Sequence, residues 1–144
     1  MTDSVTRQPA PSQAYVYNGL VTRIIDGDTI EIVADLGFYL SSTQRFRLVN
    51  VNTPETRGAS RPAGLVAKDY TMTRLLGKRV VIRTTKADSF GRWLVHVWVA
   101  GDGQGDRQAG GQDGHPEEGA LVDFNAELVE RGYAVAYREG TGGA

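Results

Sequence analysis

Asp28, Arg47, Asn52, Thr53, Glu55 and Arg92 are the residues of this 144-residue chain whose types and spacing could do chemistry. They fall in three polar segments: IDGDT (25–29), RLVNVNTPET (47–56) and DSFGR (88–92). Taken singly, each is ordinary turn or loop chemistry. DGDT suits a hairpin turn, TPE leads out of a strand, and DSFGR opens one. Together they hold what phosphodiester hydrolysis requires: oxygen ligands for a hard cation, a carboxylate base for water, and guanidinium groups for the charge on the phosphoryl oxygens. Asp28 and the Asn52-Thr53 pair can offer the oxygen ligands, and Glu55 the base. Arg47 and Arg92 can each present two parallel N–H donors to a phosphoryl group, a geometry that lysine lacks.

Composition narrows the chemistry further. The chain has no Cys, which excludes disulfides, thiolate zinc sites and a Cys nucleophile. Its two histidines sit in unrelated contexts, His96 in an alternating strand and His115 in a glycine-rich stretch, so neither a His-rich metal site nor a Ser-His-Asp arrangement is supported. His96 reads as a hydrogen-bonded structural residue and His115 as solvated. The formal net charge of -1 hides a segregation. Residues 45–92 carry eleven Lys or Arg against three acids, and the rest of the chain is acidic. Such asymmetry suits a local polyanion-binding face on an acidic body, although a solvated, unevenly charged surface accounts for it as well.

The elements that must position these residues follow from periodicity. Residues 1–14 are polar, hold Pro9 and Pro11, and read as a disordered lead-in to one domain spanning 15–138. Alternation around Ile30, Ile32, Phe46 and Leu48 predicts three antiparallel strands between 15 and 49, with Asp26-Gly27 and Leu36-Gly37 turning between them. Residues 62–76 change to a helical period, with Leu65, Met72 and Leu76 on one face, Pro62 in the first turn and Gly77 at the end. Val80 and Ile82, then Trp93, Val95, Val97 and Val99, mark two more strands. Residues 101–119, with seven glycines and five acids, read as a flexible inserted loop. Asp123 caps a short helix that Gly132 ends, and 139–144 form a Gly-rich tail. The expected fold is a β-rich α+β domain: a five-stranded OB-type barrel with one helix after strand three and a short C-terminal helix. With no signal-like apolar core and no bilayer-length run, a cytoplasmic protein without membrane contact is expected, and a monomer.

In IIDGDTIEI, RFRLVNVNTPET and DSFGRW, in that order and followed by LVERGYA, the chain resembles the staphylococcal nuclease family over about 15–137. That resemblance implies an OB-fold, calcium-dependent phosphodiesterase acting on single-stranded or frayed DNA and RNA. Residue by residue it implies Asp28 as a metal ligand, Asn52 at the place of the family's second metal carboxylate, and Thr53 as a ligand through its backbone carbonyl. It implies Glu55 as activator of the attacking water, and Arg47 and Arg92 as holders of the phosphate. Three positions depart from the pattern: Asn52 is a neutral amide, Phe90 lacks the hydroxyl of a phosphate-contacting tyrosine, and Ser89 replaces a lysine. Tyr137 is open between a substrate-pocket residue and barrel packing. The leading expectation is an active nuclease, and the alternative is a nuclease-like domain that binds nucleic acid without cutting it. Retention of Arg47, Glu55 and Arg92 favours activity, because idle charges in a cleft cost stability.

Overall fold

The computed structural model describes residues 5–87, 89–101 and 121–137. Three long strands, β1 (Val16–Asp26), β2 (Thr29–Gly37) and β3 (Leu40–Leu48), form an antiparallel meander. β5 (Arg79–Ala87) pairs with β1, and β6 (Trp93–Ala100) pairs with β5 and runs parallel to β3. That last pairing closes a five-stranded barrel, which removes the free edges an open sheet would leave. Closure follows from alternation: Ile30, Ile32, Phe46, Leu48, Val80, Ile82, Val95 and Val97 are all buried and all belong to the inward set of their strands. The expected five-strand barrel with a helix after strand three is therefore present.

Three short strands add to it. β7 (Leu121–Asp123) extends the sheet along β6, while β4 (Val51–Asn52) and β8 (Val135–Ala136) form a separate two-stranded ribbon. Strands of two or three residues carry no periodicity, so alternation could not announce them. The β2–β3 turn also differs from expectation. Phe38 and Tyr39, both with positive φ (59° and 63°), form the turn, whereas Gly37 sits at a register shift just before it.

The first helix, α1 (Arg61–Leu75), follows a single 3-10 turn at Gly58–Ser60 and has Pro62 in its first turn. Its inner face is the expected one only at Met72, which packs against the core. Leu65 and Leu76 are each 40% exposed, and the buried residues are Gly64, Ala67, Thr71, Arg74 and Leu75. The first part of the helix lies against the β1–β2 and Pro54-Glu55 loops, where Gly64, Ala67 and Thr71 face inward, and its last turns pack on the barrel core through Met72 and Leu75.

The second helix, α2 (Phe124–Glu130), starts as expected at Asp123, whose Oδ1 accepts a hydrogen bond from the Ala126 N–H at 3.0 Å. Phe124 and Leu128 fill the barrel end, and buried Asn125 donates to the carbonyls of Val49 (2.9 Å) and Val95 (3.2 Å) while accepting from Val97 N–H (3.1 Å). The two helices are tied by a bidentate pair. Arg74 Nε and Nη2 lie 2.7 and 2.8 Å from the Glu127 carboxylate, which also accepts from the Tyr70 hydroxyl. Burial pushes the Glu127 pKa up, but the hydrogen bonds from Arg74 and Tyr70 and the charges of Arg74 and Arg131 more than offset it, leaving the pKa below its ordinary value. Arg74 thus leaves the polyanion-binding face that the basic run suggested, since it is 4% exposed and neutralised. His96 Nε2 lies 2.8 Å from Asp123 Oδ1 but without the geometry of a hydrogen bond, so the expected hydrogen bond is not formed, and its ring stacks on Trp98.

Residues 5–14 are exposed and carry no regular element. The rest of the lead-in, Asp88, the inserted loop beyond Gly101, and the Gly-rich tail lie outside the described residues. No helix among the described residues is long and apolar enough to cross a membrane.

Candidate active site

The β1–β2 turn consists of Gly27 and Asp28, and its geometry fixes the first acid. Asp28 is 7% exposed. Its backbone carbonyl accepts from Leu48 N–H at 2.8 Å, and its Oδ2 accepts from Thr53 N–H at 3.1 Å. The neighbouring Thr29 hydroxyl donates to Oδ1 at 3.3 Å. Strand register then delivers Arg47, the β3 partner of Thr29. Its Nη2 stands 3.5 Å from Asp28 Oδ2 and 3.0 Å from Asn52 Oδ1, so two side-chain oxygens converge on one cationic nitrogen. Asn52 is held in place by the β4–β8 ribbon, in which it pairs with Val135.

Helix α1 is the wall against which both acidic loops are set. Thr71, fully buried, donates its hydroxyl to the Gly27 carbonyl at 2.8 Å. A Cβ on Gly27 would meet Ala67 and Thr53 side-chain atoms at 3.0 Å, and a Cβ on Gly64 would fall 2.0 Å from the Glu55 carbonyl oxygen. Glycine at 64 is what lets the helix touch the Pro54-Glu55 backbone, and so decides where Glu55 stands.

These loops enclose a cleft of about 400 Å³, and all six residues singled out in the sequence line it: Asp28, Arg47, Asn52, Thr53, Glu55 and Arg92. Asn52 and Glu55 are exposed, so water and a strand can reach them. Arg92 donates to the Thr29 hydroxyl at 3.4 Å and lies 5.4 Å from the ring of Phe90, which is 82% exposed. Five further residues line it: Ile25, Asp26, Pro54, Thr56 and Arg57. Asp26 accepts from the Thr56 hydroxyl at 3.0 Å, and Arg57 closes the rim. The first acid of DGDT was the only available signal for Asp26. Tyr137, left open by sequence, lies behind Arg47: its ring is 5.5 Å from the Arg47 guanidinium and its N–H donates to the Asn50 carbonyl at 2.9 Å. Acids and bases in the lining balance, with Asp26, Asp28 and Glu55 against Arg47, Arg57 and Arg92. Such a cleft can hold a cation and an anion side by side.

The donors available to a metal are all hard oxygens. Asp28 and Asn52 supply side-chain oxygens, and the Thr53 Oγ1 is buried with no hydrogen-bond partner. Among the described residues no three acids or histidines converge into a metal cage. A divalent ion here would draw on an amide, a backbone carbonyl and water besides Asp28, a set that suits calcium or magnesium rather than a soft metal.

The sequence model of the family described as staphylococcal nuclease homologue matches residues 45–142. This chain belongs to that family. It is 38% identical over 85 residues to a thermonuclease of Staphylococcus intermedius, covering 56% of this chain and 48% of that protein. It is 32% identical over 120 residues to protein ParB of Escherichia coli, covering 83% and 57%. With a micrococcal nuclease of Shigella flexneri it shares 30% identity over 122 residues, covering 85% and 59%. The chain spans about half the length of these curated relatives. In this staphylococcal nuclease homologue the family match covers Arg47, Asn52, Thr53, Glu55 and Arg92, and the β2–β3 register brings in Asp28 from outside it.

Proposed function

We propose that this staphylococcal nuclease homologue hydrolyses phosphodiester bonds within DNA or RNA strands in a reaction that depends on a divalent metal, calcium being the natural candidate. The observation that carries the reading is the convergence in one cleft of an exposed carboxylate, Glu55, with two arginines, Arg47 and Arg92, beside the buried Asp28. Glu55 takes a proton from water as the water oxygen bonds to phosphorus and the bond to the sugar oxygen breaks, that oxygen leaving with the electron pair and taking a proton from solvent. Arg47 and Arg92 donate to the non-bridging oxygens, whose charge grows in the transition state. Asp28, the Asn52 amide and the Thr53 backbone carbonyl would hold the cation, which supplies Lewis-acid polarisation of the phosphate when bound. Arg47 lines the same cleft and donates to Asp28 and Asn52, so the phosphate and the cation it accompanies would meet beside one guanidinium.

A second reading, a strand-binding module without turnover, has Asn52 in its favour, because an amide brings no charge to the metal. One experiment separates the two. Purified chain is incubated with single-stranded DNA and with RNA in calcium, magnesium, manganese or EDTA. Metal-dependent cleavage that EDTA abolishes supports the enzyme; retained binding with no cleavage in any metal supports the module.

A further inference from the structure

The β2–β3 hairpin runs past the barrel and ends in exposed aromatics. Pairing of β2 with β1 stops at Asp35, and β3 meets β6 only at Phe46, Arg47 and Leu48. Among the described residues, no strand therefore pairs with the outer edge of β3 from Leu40 to Arg45, and barrel closure leaves that stretch open. Between Ser42 and Gln44 on this edge and Thr84 on β5 lies a cavity of about 310 Å³, with Phe46 buried in it and Tyr15, Leu36 and Trp93 exposed at its rim. The tip beside it is strained. Phe38 and Tyr39 both have positive φ, the arrangement of a two-residue turn that favours Asn-Gly and that bulky side chains rarely adopt. Phe38 is 92% exposed and Tyr39 wholly so, with Leu36 and Leu40 exposed on either side. These rings gain almost no burial among the described residues, and a patch of large apolar side chains held out in this way marks a contact surface.

We propose that this hairpin edge is a self-association surface, on which two copies of the chain pair β3 to β3, antiparallel, about a twofold axis at Thr43, in place of the expected monomer. In that register Thr43 meets the partner's Thr43, a favourable cross-strand pair, and Leu40 lies opposite the partner's Phe46, at the cavity. Each aromatic tip thus reaches the other copy's cavity, whose volume is that of a small-ligand site and has room for ring side chains. One surface carries both the projecting rings and the cavity that receives them, the self-complementarity that a twofold contact needs. Charge does not oppose the pairing. Asp35 and Arg45 are the only charged residues from 35 to 45, so each hairpin is neutral, and Arg45 falls opposite the partner's Ser41. Phe38 and Tyr39 of two copies would bury on the order of 600–1,000 Å². Leu36, Leu40, Tyr15, Trp93 and strand backbone bring the total to the roughly 1,200 Å² at which specific interfaces begin, so the dimer is weak and concentration-dependent.

Sedimentation of the full chain over micromolar concentrations should show a monomer–dimer equilibrium. Phe38→Asn combined with Tyr39→Gly gives the turn its preferred residues and so preserves the fold, and it should weaken association about tenfold or more. The chain has no Cys, so Thr43→Cys supplies a single reporter. Opposed residues of an antiparallel pair have Cα atoms about 4.5–5.5 Å apart, inside the range a disulfide spans, and mild oxidation should join two copies of this variant. Ser41→Cys would stand about 13 Å from its counterpart in the same register and should not crosslink. A monomer at every concentration would overturn the proposal, as would a dimer that the turn variant leaves intact. Equal crosslinking at 41 and 43, or none at 43, would overturn the edge pairing. A monomer that binds phosphatidylcholine vesicles only while Phe38 and Tyr39 are present would overturn it in favour of a bilayer surface.

Discussion

Gly64→Ala is the substitution whose effect on catalysis can be worked from distances. A Cβ at 64 would lie 2.0 Å from the Glu55 carbonyl oxygen, 2.4 Å from its carbonyl carbon and 2.9 Å from the Pro54 oxygen. Ordinary contact begins near 3.4 Å, so the helix and the loop must part by about 1.4 Å. The opposing atoms are backbone, and no rotamer change can relieve them. In an open helix the same change would stabilise by about 0.4–1 kcal/mol. Here overpacking costs about 1–3 kcal/mol, so a net loss of stability is expected. The larger effect falls on Glu55, because a displacement of about 1 Å in a catalytic group costs on the order of 100-fold in rate. Initial rates on single-stranded DNA at saturating metal, beside thermal melts showing that the variant is folded at the assay temperature, measure both effects. A variant that melts higher than wild type and cuts at the wild-type rate would refute the claim that Gly64 sets the position of Glu55.

Glu55→Gln should lower turnover by about 100- to 10,000-fold while changing strand affinity little, which single-turnover rates and anisotropy read separately; undiminished cleavage would remove Glu55 from the mechanism. Asn52→Asp should tighten calcium binding by about 1–3 kcal/mol, because a carboxylate adds a charge beside Asp28. Calorimetric titration of both proteins checks this, and equal affinities would mean that residue 52 does not face the metal. Glu127, with its folded pKa below the ordinary 4.5, contributes stability that is full above about pH 4.5 and is lost as pH falls through the folded value. Glu127→Gln should therefore cost about 3–5 kcal/mol near neutral pH by stranding buried Arg74, and should flatten the acid limb of the stability curve. Denaturant melts from pH 3 to 7 test it, and an unchanged acid limb would show that another carboxylate governs it.

Alternation along β1, β2, β3, β5 and β6 was legible because each strand buries one face, and a period of two survives whatever the strands pair with. The Asp123 cap was legible too, since capping is decided within three residues. So were the six candidate residues, because DGDT, NTPE and FGR each join a turn to a strand, and barrel closure collects those turns at one end. The inner face of α1 was not legible. Leucines at 65 and 76 follow a helical period, but periodicity tells which side of a helix is apolar, not what lies against it. Backbone loops lie against its first part, where they demanded Gly64 and Thr71, and the barrel core receives Leu75 rather than Leu76. Nor could sequence pair Arg74 with Glu127, 53 residues away, Asn52 with β8, or Tyr137 with Arg47. Residue types and local spacing state which chemistry is possible. Which charges meet, and which are neutralised in the core, depends on contacts that exist only once chain closure has overcome the entropy of bringing distant segments together.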